Sequence, residues 1–322
     1  MAYMQLTEIE RYQIFSLKEA GVTQRFIATS LNRAPSTISR ELKRNREAQK
    51  YCPKQAQLKA SERRHTAVKA VKVTPEITKL IKQLTWQDLS PEQTVGYLKR
   101  EKIISLHHET VYRLIYKDKI NGGDLWQHLR IAKKSYRKRY GSYERRGKIK
   151  NRISIDNRPK IVDKKQRIGD WEGDTIVGKD HKSALLTLVE RKSLFTLMIK
   201  LEDKTAEGVA KAVTRNLAHI KQKIKTITVD NGLEFAEHEL ISKNLEAKIY
   251  FAHPYSPWER GINENTNGLI RDYFPKGTDF NKVSEQEINL VANRLNKRPR
   301  KTRDYKTPNE LFKGIPTRLL RL

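Results

Sequence analysis

"KTITVDNG", Lys225 to Gly232, is a short apolar run that ends on an acid. Thr226, Ile227, Thr228 and Val229 are β-branched and favour a strand, and Asn231-Gly232 is a tight-turn pair. Asp230 is therefore delivered at a strand end. Upstream, "GDWEGDTIVG" (Gly169 to Gly178) is a second β-branched run and carries Asp174. Downstream, "PWERGINENTNGLIRDYF" (Pro257 to Phe274) reads as a helix and carries Glu264, with thirty-three residues between it and Asp230. Three carboxylates on two strands and a helix suit a divalent-metal phosphoryl-transfer site, because Mg²⁺ and Mn²⁺ take hard oxygen ligands. Two such ions clamp the attacking and leaving oxygens at phosphorus.

The surrounding block has the layout such a site needs. "DWEGDTIVG", "SALLTLVE" and "SLFTLMIKL" read as three meander strands joined by short polar turns at 179–182 and 191–192. A helix follows with Val209, Val213, Leu217 and Ile220 at helical spacing. Then come the Asp230 strand, a short helix from Glu239 to Leu245, the strand "AKIYFA", the Glu264 helix and a last helix, "SEQEINLVANRLN". The expectation is an α/β domain over 166–298 with a mixed five-stranded sheet. On the Glu264 helix, Trp258, Ile262, Leu269 and Tyr273 are expected to form the buried stripe. Glu264 lies off it with Arg260, Asn267, Gly268 and Arg271.

Residues 1–48 read as an all-α helix-turn-helix domain. Thr7 and Glu10 form a capping box for a first helix that stops at Gly21, with Ile9, Ile14 and Leu17 in its stripe. Thr23 caps a second helix carrying Phe26, Ile27 and Leu31, and Ser36 is expected to cap the third, "STISRELKRN". Segment 49–73 reads as a basic linker. A second helical, helix-turn-helix-like domain is expected over 74–128, with Thr74-Pro75 and Ser90-Pro91 as helix starts. Its last helix carries Val111, Leu114 and Ile115 on one face, with Arg113 and Lys117 off it. Residues 129–165 read as another basic linker and 299–322 as a basic C-terminal segment. Within the linker, "RIAKKSYRKRYGSYERRGKIK" (130–150) holds ten basic residues, one acid and three tyrosines. That mixture suits a segment that follows phosphates and stacks on bases.

Bulk composition supports a nucleic-acid partner. The chain of 322 residues carries 66 Lys plus Arg against 37 Asp plus Glu, a net charge of +29. The excess is uneven: +23 over residues 1–168, −2 over 169–293 and +8 over 294–322. A near-neutral folded block between basic flanks suits an enzyme held on a polyanion. The single cysteine, Cys52, excludes an internal disulfide and a multi-cysteine zinc site, and fits a reducing cytoplasm. No apolar run is long enough for a membrane span or a signal peptide.

Taken together, "LTEIERYQI", "STISRELKRN", "SPEQTVGYLK", "GDWEGDTIVGK", "LLTLVERKS", "TVDNGLEFAEH", "YFAHPYSPWERGINENTNGLIRDYFPKGTDF" and "LNKRPRK" span nearly every segment in order. In these stretches the chain resembles bacterial insertion-sequence transposases of the DDE class, in the family of insertion sequence thirty. The resemblance implies an RNase H-like catalytic core with Asp174, Asp230 and Glu264 as metal-binding catalytic triad, and two Mg²⁺ or Mn²⁺ ions. It places Arg271, seven residues past the acid, where related enzymes keep a basic residue at the terminal DNA. It also selects Asp174 over Asp170 and Glu172, although Glu172 shares its strand face. Retroviral integrases share Trp-x-x-Asp, seen at Trp171 to Asp174, but their N-terminal zinc domain needs a cysteine pair.

The expected activity is metal-dependent strand cleavage and strand transfer at the terminal inverted repeats of an insertion sequence. A homodimer or larger assembly would act with target DNA, in the cytoplasm at the nucleoid. The third N-terminal helix would present Ser36, Thr37, Ser39, Arg40, Lys43 and Arg44 to the major groove and phosphates. Arg260, with Tyr255 and Trp258, would hold unpaired bases near the cut. The rivals are a sequence-specific repressor without catalysis, an RNase H-type nuclease that never joins strands, and a tyrosine recombinase that links covalently to DNA.

Overall fold

The computed structural model describes residues 5–47, 50–67, 72–130, 149–181, 183–254 and 256–320. The chain divides into two compact units, residues 1–72 and 73–322.

In the first unit, α1 (Glu8–Glu19), α2 (Gln24–Ser30) and α3 (Pro35–Asn45) surround the buried side chains of Ile14, Ile27, Ala28 and Ile38. Thr7 and Glu10 form the capping box, and Thr23 accepts the Phe26 amide. Ile9 departs from the expected stripe and is 72% exposed, while the neighbouring Arg11 is buried. Its guanidinium meets Glu41 on α3 at 2.8 Å and donates to the Leu6 carbonyl, so a polar pair ties the first helix to the third. The third helix begins at Pro35 with Ala34 as N-cap, which places Ser36 in the first turn instead of at the cap. Proline at the first helical position loses no intrahelical bond, so the helix starts there without a side-chain cap.

The expected linker at 49–73 is largely structured. After a two-residue ribbon, β1 (Arg46–Glu47) with β2 (Lys50–Tyr51), the helix α4 (Pro53–Thr66) packs against α1. Its grip is mainly polar. Pro53 and Ala56 are its buried apolar residues, Gln57 receives Arg11, and Tyr51 just before it donates to Glu41. Such a helix has no apolar period to find.

The second unit opens with α5 (Pro75–Trp86), α6 (Pro91–Arg100) and α7 (His108–Ile120), started by the Thr74 and Ser90 caps. Their core of Ile81, Leu84, Leu98, Val111 and Ile115 also takes in Leu319 and Leu320. The C-terminal stretch is thus built in rather than trailing. Its helix α13 (Pro308–Lys313) sends Phe312 onto Phe195, rings stacked at 4.4 Å, and edge-on to Trp171. Burying one such ring is worth ~2–3 kcal/mol. Gly96 explains the fit on the other side. A Cβ there would lie 2.1 Å from the Tyr305 ring, so glycine is kept mid-helix at a cost of about 1 kcal/mol.

The five-stranded sheet has the order β5-β4-β3-β6-β7. β3 (Asp170–Val177), β4 (Ala184–Glu190) and β5 (Thr196–Leu201) form the antiparallel meander. β6 (Thr226–Val229) and β7 (Lys248–Phe251) add in parallel beyond β3. The second basic linker is also partly structured: Ile149 joins the core, Ser154 bridges Phe251 on the sheet edge, and α8 (Ile161–Lys164) precedes β3. Residues 131–148 lie outside the described residues.

Strand alternation splits the core into two layers. Trp171, Leu186, Leu188, Ile227, Val229 and Ile249 pack against α9 (Ala206–Leu217), α10 (His238–Leu245) and α13. Ile176, Leu185 and Met198 pack against α11 (Gly261–Tyr273) and α12 (Glu285–Lys297). The result is a helix–sheet–helix sandwich with the expected mixed sheet. Among the described residues, no helix is long and apolar enough to cross a membrane.

Candidate active site

The parallel pairing of β3 with β6 builds the site. Asp170 is level with Thr226 and Glu172 with Thr228. Continuing that register by two residues brings Asp174 level with Asp230. Both lie on the even-numbered face, which is turned toward α11. No sequence period specifies this alignment; it follows from the crossover through α9.

Three acids stand in a row on that face of β3, and their partners separate them. Asp170 is buried, clamped by Arg167 through two 2.9 Å bonds and by the Thr226 hydroxyl. Glu172 is 1% exposed, bonded to Arg191 at 2.6 Å and to the Asn263 backbone amide at 2.9 Å. Both are committed to structure. Asp174 keeps 22% of its side chain exposed, so of the three acids it is the one left open to a ligand.

Asp174 Oδ2 accepts from the Asn267 side-chain amide at 2.7 Å, and Oδ1 accepts from the Thr175 amide. Asp230, 28% exposed, accepts from the Gly232 amide at 3.0 Å. Between the two aspartates lies the Arg260 guanidinium, 3.4 Å from each, also donating to the Gly173 carbonyl. Burial pushes the Asp174 carboxyl above its ordinary value; Arg260 pulls it down and the charge of Asp230 pushes it up. Two half-buried carboxylates that already share a cation are a fitting donor set for Mg²⁺ or Mn²⁺.

Glu264 sits in the first turn of α11 and is exposed. Among the described residues, no three acidic, histidine or cysteine side chains gather closely enough to hold one ion. The structure thus brings two of the three expected acids together and leaves Glu264 on the helix beside them. The buried side of α11 differs from the expected stripe: Asn263, Thr266, Leu269 and Ile270 face inward. Trp258 is 74% exposed because Pro257–Arg260 form a separate 3₁₀ turn, which breaks the helical phase before Gly261.

The other expected DNA contacts fall in different surroundings. On α3, Ser36, Ser39, Arg40, Lys43 and Arg44 are exposed and Thr37 is half-buried, while Ile38, Glu41, Leu42 and Asn45 face the core. Arg271 bonds the Val177 carbonyl at 2.8 Å and the carbonyls of Phe274 and Pro275, and burial lowers its pKa. Tyr255 lies outside the described residues.

The chain is 45% identical to the transposase for insertion sequence element IS4351 of Bacteroides fragilis, over 96% of each chain. It is 37% identical to transposase InsI for insertion sequence element IS30A of Escherichia coli strain K12, over 97% of this chain and 84% of that one. The chain belongs to the IS30 family of DDE transposases. Within the transposase, residues 2–45 match the helix-turn-helix domain family and residues 164–257 the integrase core domain family. The catalytic core domain of BIV integrase covers 45% of this chain and 93% of its own, with 22% identity and a TM-score of 0.36. The transposase is accordingly a DNA-binding nucleotidyl transferase whose core is of the divalent-metal-dependent DDE type, and a repressor without catalysis is not favoured.

Sequence reasoning missed two supports of the transposase site. Thr187 is level with Asp174 on β4, and its hydroxyl donates to the Asp174 carbonyl and lies 3.0 Å from Asn267 Oδ1. Inside "SALLTLVE" a lone threonine reads as ordinary strand, so only the register reveals it. Arg191 was read as a turn residue, yet it is buried as the partner of Glu172. A basic residue directly after a strand of apolar residues gave no hint of its partner.

Proposed function

We propose that Asp174, Asp230 and Glu264 are the catalytic carboxylates, hold two Mg²⁺ or Mn²⁺ ions, and cut and join DNA at the terminal inverted repeats of an insertion sequence. The observation that carries this is the β3–β6 register, which aligns Asp174 with Asp230 on the face toward the Glu264 helix. When bound, the ions supply Lewis-acid activation of water or a DNA 3′-hydroxyl and charge stabilisation at the phosphorus. The chain's own groups do the rest. Asn267 and the Gly232 amide fix the carboxylate oxygens, so ligand geometry is set before substrate arrives. Arg260 and Arg271 would meet phosphates beside the scissile bond, and the exposed Trp258 would stack on an unpaired base.

The exposed row on α3, Ser36, Thr37, Ser39, Arg40, Lys43 and Arg44, would read the inverted repeat and hold its phosphates. Two element ends must be held at once, which calls for a homodimer or larger assembly acting on target DNA at the bacterial nucleoid. The test uses a labelled end duplex with Mg²⁺. Asp230→Asn and Glu264→Gln should each lower nicking and strand transfer by roughly a thousandfold, the scale of losing several kcal/mol of transition-state stabilisation. End binding in a gel shift should remain. Normal cleavage by the Glu264→Gln protein would remove that residue from the triad.

A further inference from the structure

We infer that the Arg260 guanidinium is an internal counter-cation that occupies the metal position between Asp174 and Asp230 and must withdraw before an ion enters. The inference rests on the reading of these aspartates as metal ligands. Its basis is the way Arg260 is held. Among the described residues, these arginine–carboxylate pairs that tie elements together are short: Arg191 to Glu172 at 2.6 Å, Arg11 to Glu41 at 2.8 Å, Arg100 to Glu310 at 2.8 Å. Arg260 instead stands 3.4 Å from one oxygen of Asp174 and 3.4 Å from one oxygen of Asp230. Charge-assisted N–H···O bonds run ~2.7–2.9 Å, so neither contact is a closed bond.

The guanidinium sits where it neutralises two acids at once and commits to neither. Its remaining hold is equally light. One terminal nitrogen donates to the Gly173 carbonyl at 3.3 Å. A forked cation suspended 3.4 Å from each of two carboxylates, with one long carbonyl bond besides, is positioned to be exchanged. A divalent ion offers twice the charge in the same place, and a DNA phosphate offers the departing fork a bidentate partner. Arg260 also ends the 3₁₀ turn in front of α11, so its withdrawal needs no break in that helix.

The physical consequence is competition. A site whose competent form is populated only when Arg260 is out binds ions more weakly in proportion to that fraction. The test is a calorimetric titration of Mn²⁺ into the full-length protein without DNA, for wild type, Arg260→Gln, Arg260→Lys and Asp230→Asn. Arg260→Gln should bind Mn²⁺ about tenfold tighter than wild type. Arg260→Lys, with one compact charge that reaches a single carboxylate, should fall between them. Thermal unfolding gives a second readout: without metal Arg260→Gln should melt below wild type, and Mn²⁺ should raise its midpoint further than it raises that of wild type.

Equal or weaker Mn²⁺ binding by Arg260→Gln would overturn the inference. If that variant shows no cooperative melting, Arg260→Lys decides in the same way, since affinity no tighter than wild type overturns it. The Asp230→Asn protein separates the two layers of argument. Unchanged Mn²⁺ affinity there would remove the metal-ligand reading itself, whatever Arg260 does.

Discussion

Glu172 and Asp174 are the same kind of group two residues apart on one face of one strand, and they have opposite fates. Glu172 meets Arg191 at 2.6 Å with both side chains at most 5% exposed, and an α11 backbone amide takes its other oxygen. Asp174 meets Arg260 at 3.4 Å, shares it with Asp230, and keeps an open edge. Burial pushes both carboxyls above their ordinary values, and the neighbouring arginine pulls each back. The difference lies in how completely the partner closes the acid. A closed pair fixes the start of α11 against the sheet; an open one leaves ligand capacity for something that arrives later.

The comparison breaks most visibly in stability. Removing one member of a buried pair leaves the other charge stranded, at a cost of about 3–5 kcal/mol. Glu172→Gln should therefore lower the denaturant midpoint by an amount equivalent to about 3 kcal/mol. Asp174→Asn should stay within ~1 kcal/mol of wild type, because the amide oxygen keeps one of the two bonds that the carboxylate oxygens accept separately from Asn267 and Thr175, and this half-open position lets water reach the other donor. Activity should rank the other way, with Asp174→Asn inactive though folded. Greater destabilisation by Asp174→Asn than by Glu172→Gln would mean that the two acids have been assigned the wrong way round.

A third pair lies between these extremes. Glu310 on α13 takes Arg100 of α6 through bonds of 2.8 and 2.9 Å, with a quarter of the Arg100 side chain exposed. Burial pushes the Glu310 carboxyl up, but Arg100 and the amides of Thr307 and Thr317 outweigh it and hold its pKa below the usual 4.5. A depressed folded pKa contributes stability above the unfolded value and loses it as pH falls through the folded one. Glu310→Gln should thus melt below wild type at pH 7, by ~1 kcal/mol once solvent screening is allowed for. The gap should close in acid, below the usual glutamate range. A gap that persists there would show that the contact acts by shape and not by charge.

What was legible in the chain was local. Thr7 with Glu10, Thr23, Thr74 with Pro75 and Ser90 with Pro91 all start helices where those residues announce them. The β-branched run into Asp230 and the succession of five strands along the chain were equally readable, because alternation and turn residues act within a few positions. What was not legible depended on partners far away in sequence. Arg11 is inside because Glu41, thirty residues on, is there to meet it, so Ile9 loses the place its hydropathy suggests. The helix at 53–66 holds by polar contacts, and Trp258 lies outside because a 3₁₀ turn shifts the phase of an otherwise regular apolar stripe. The site shows both sides: each aspartate was visible on its own strand, but the offset that sets them level was not.

The smallest expected effect tests what holds the open acid in place. Asp174 has no tight cationic partner, so its orientation depends on Asn267, whose amide reaches it at 2.7 Å with the Thr187 hydroxyl 3.0 Å from the other end of the same side chain. Asn267 is a positioning residue that acts through Asp174. Losing one such bond is worth ~1 kcal/mol, so Asn267→Ala should slow Mg²⁺-dependent nicking about fivefold. End binding should not move. Thr187→Val should give a smaller loss, since it acts only by orienting the amide, and the double variant should be no slower than Asn267→Ala alone. Losses that instead multiply would place Thr187 on a separate path to the carboxylate, through the Asp174 carbonyl it also touches.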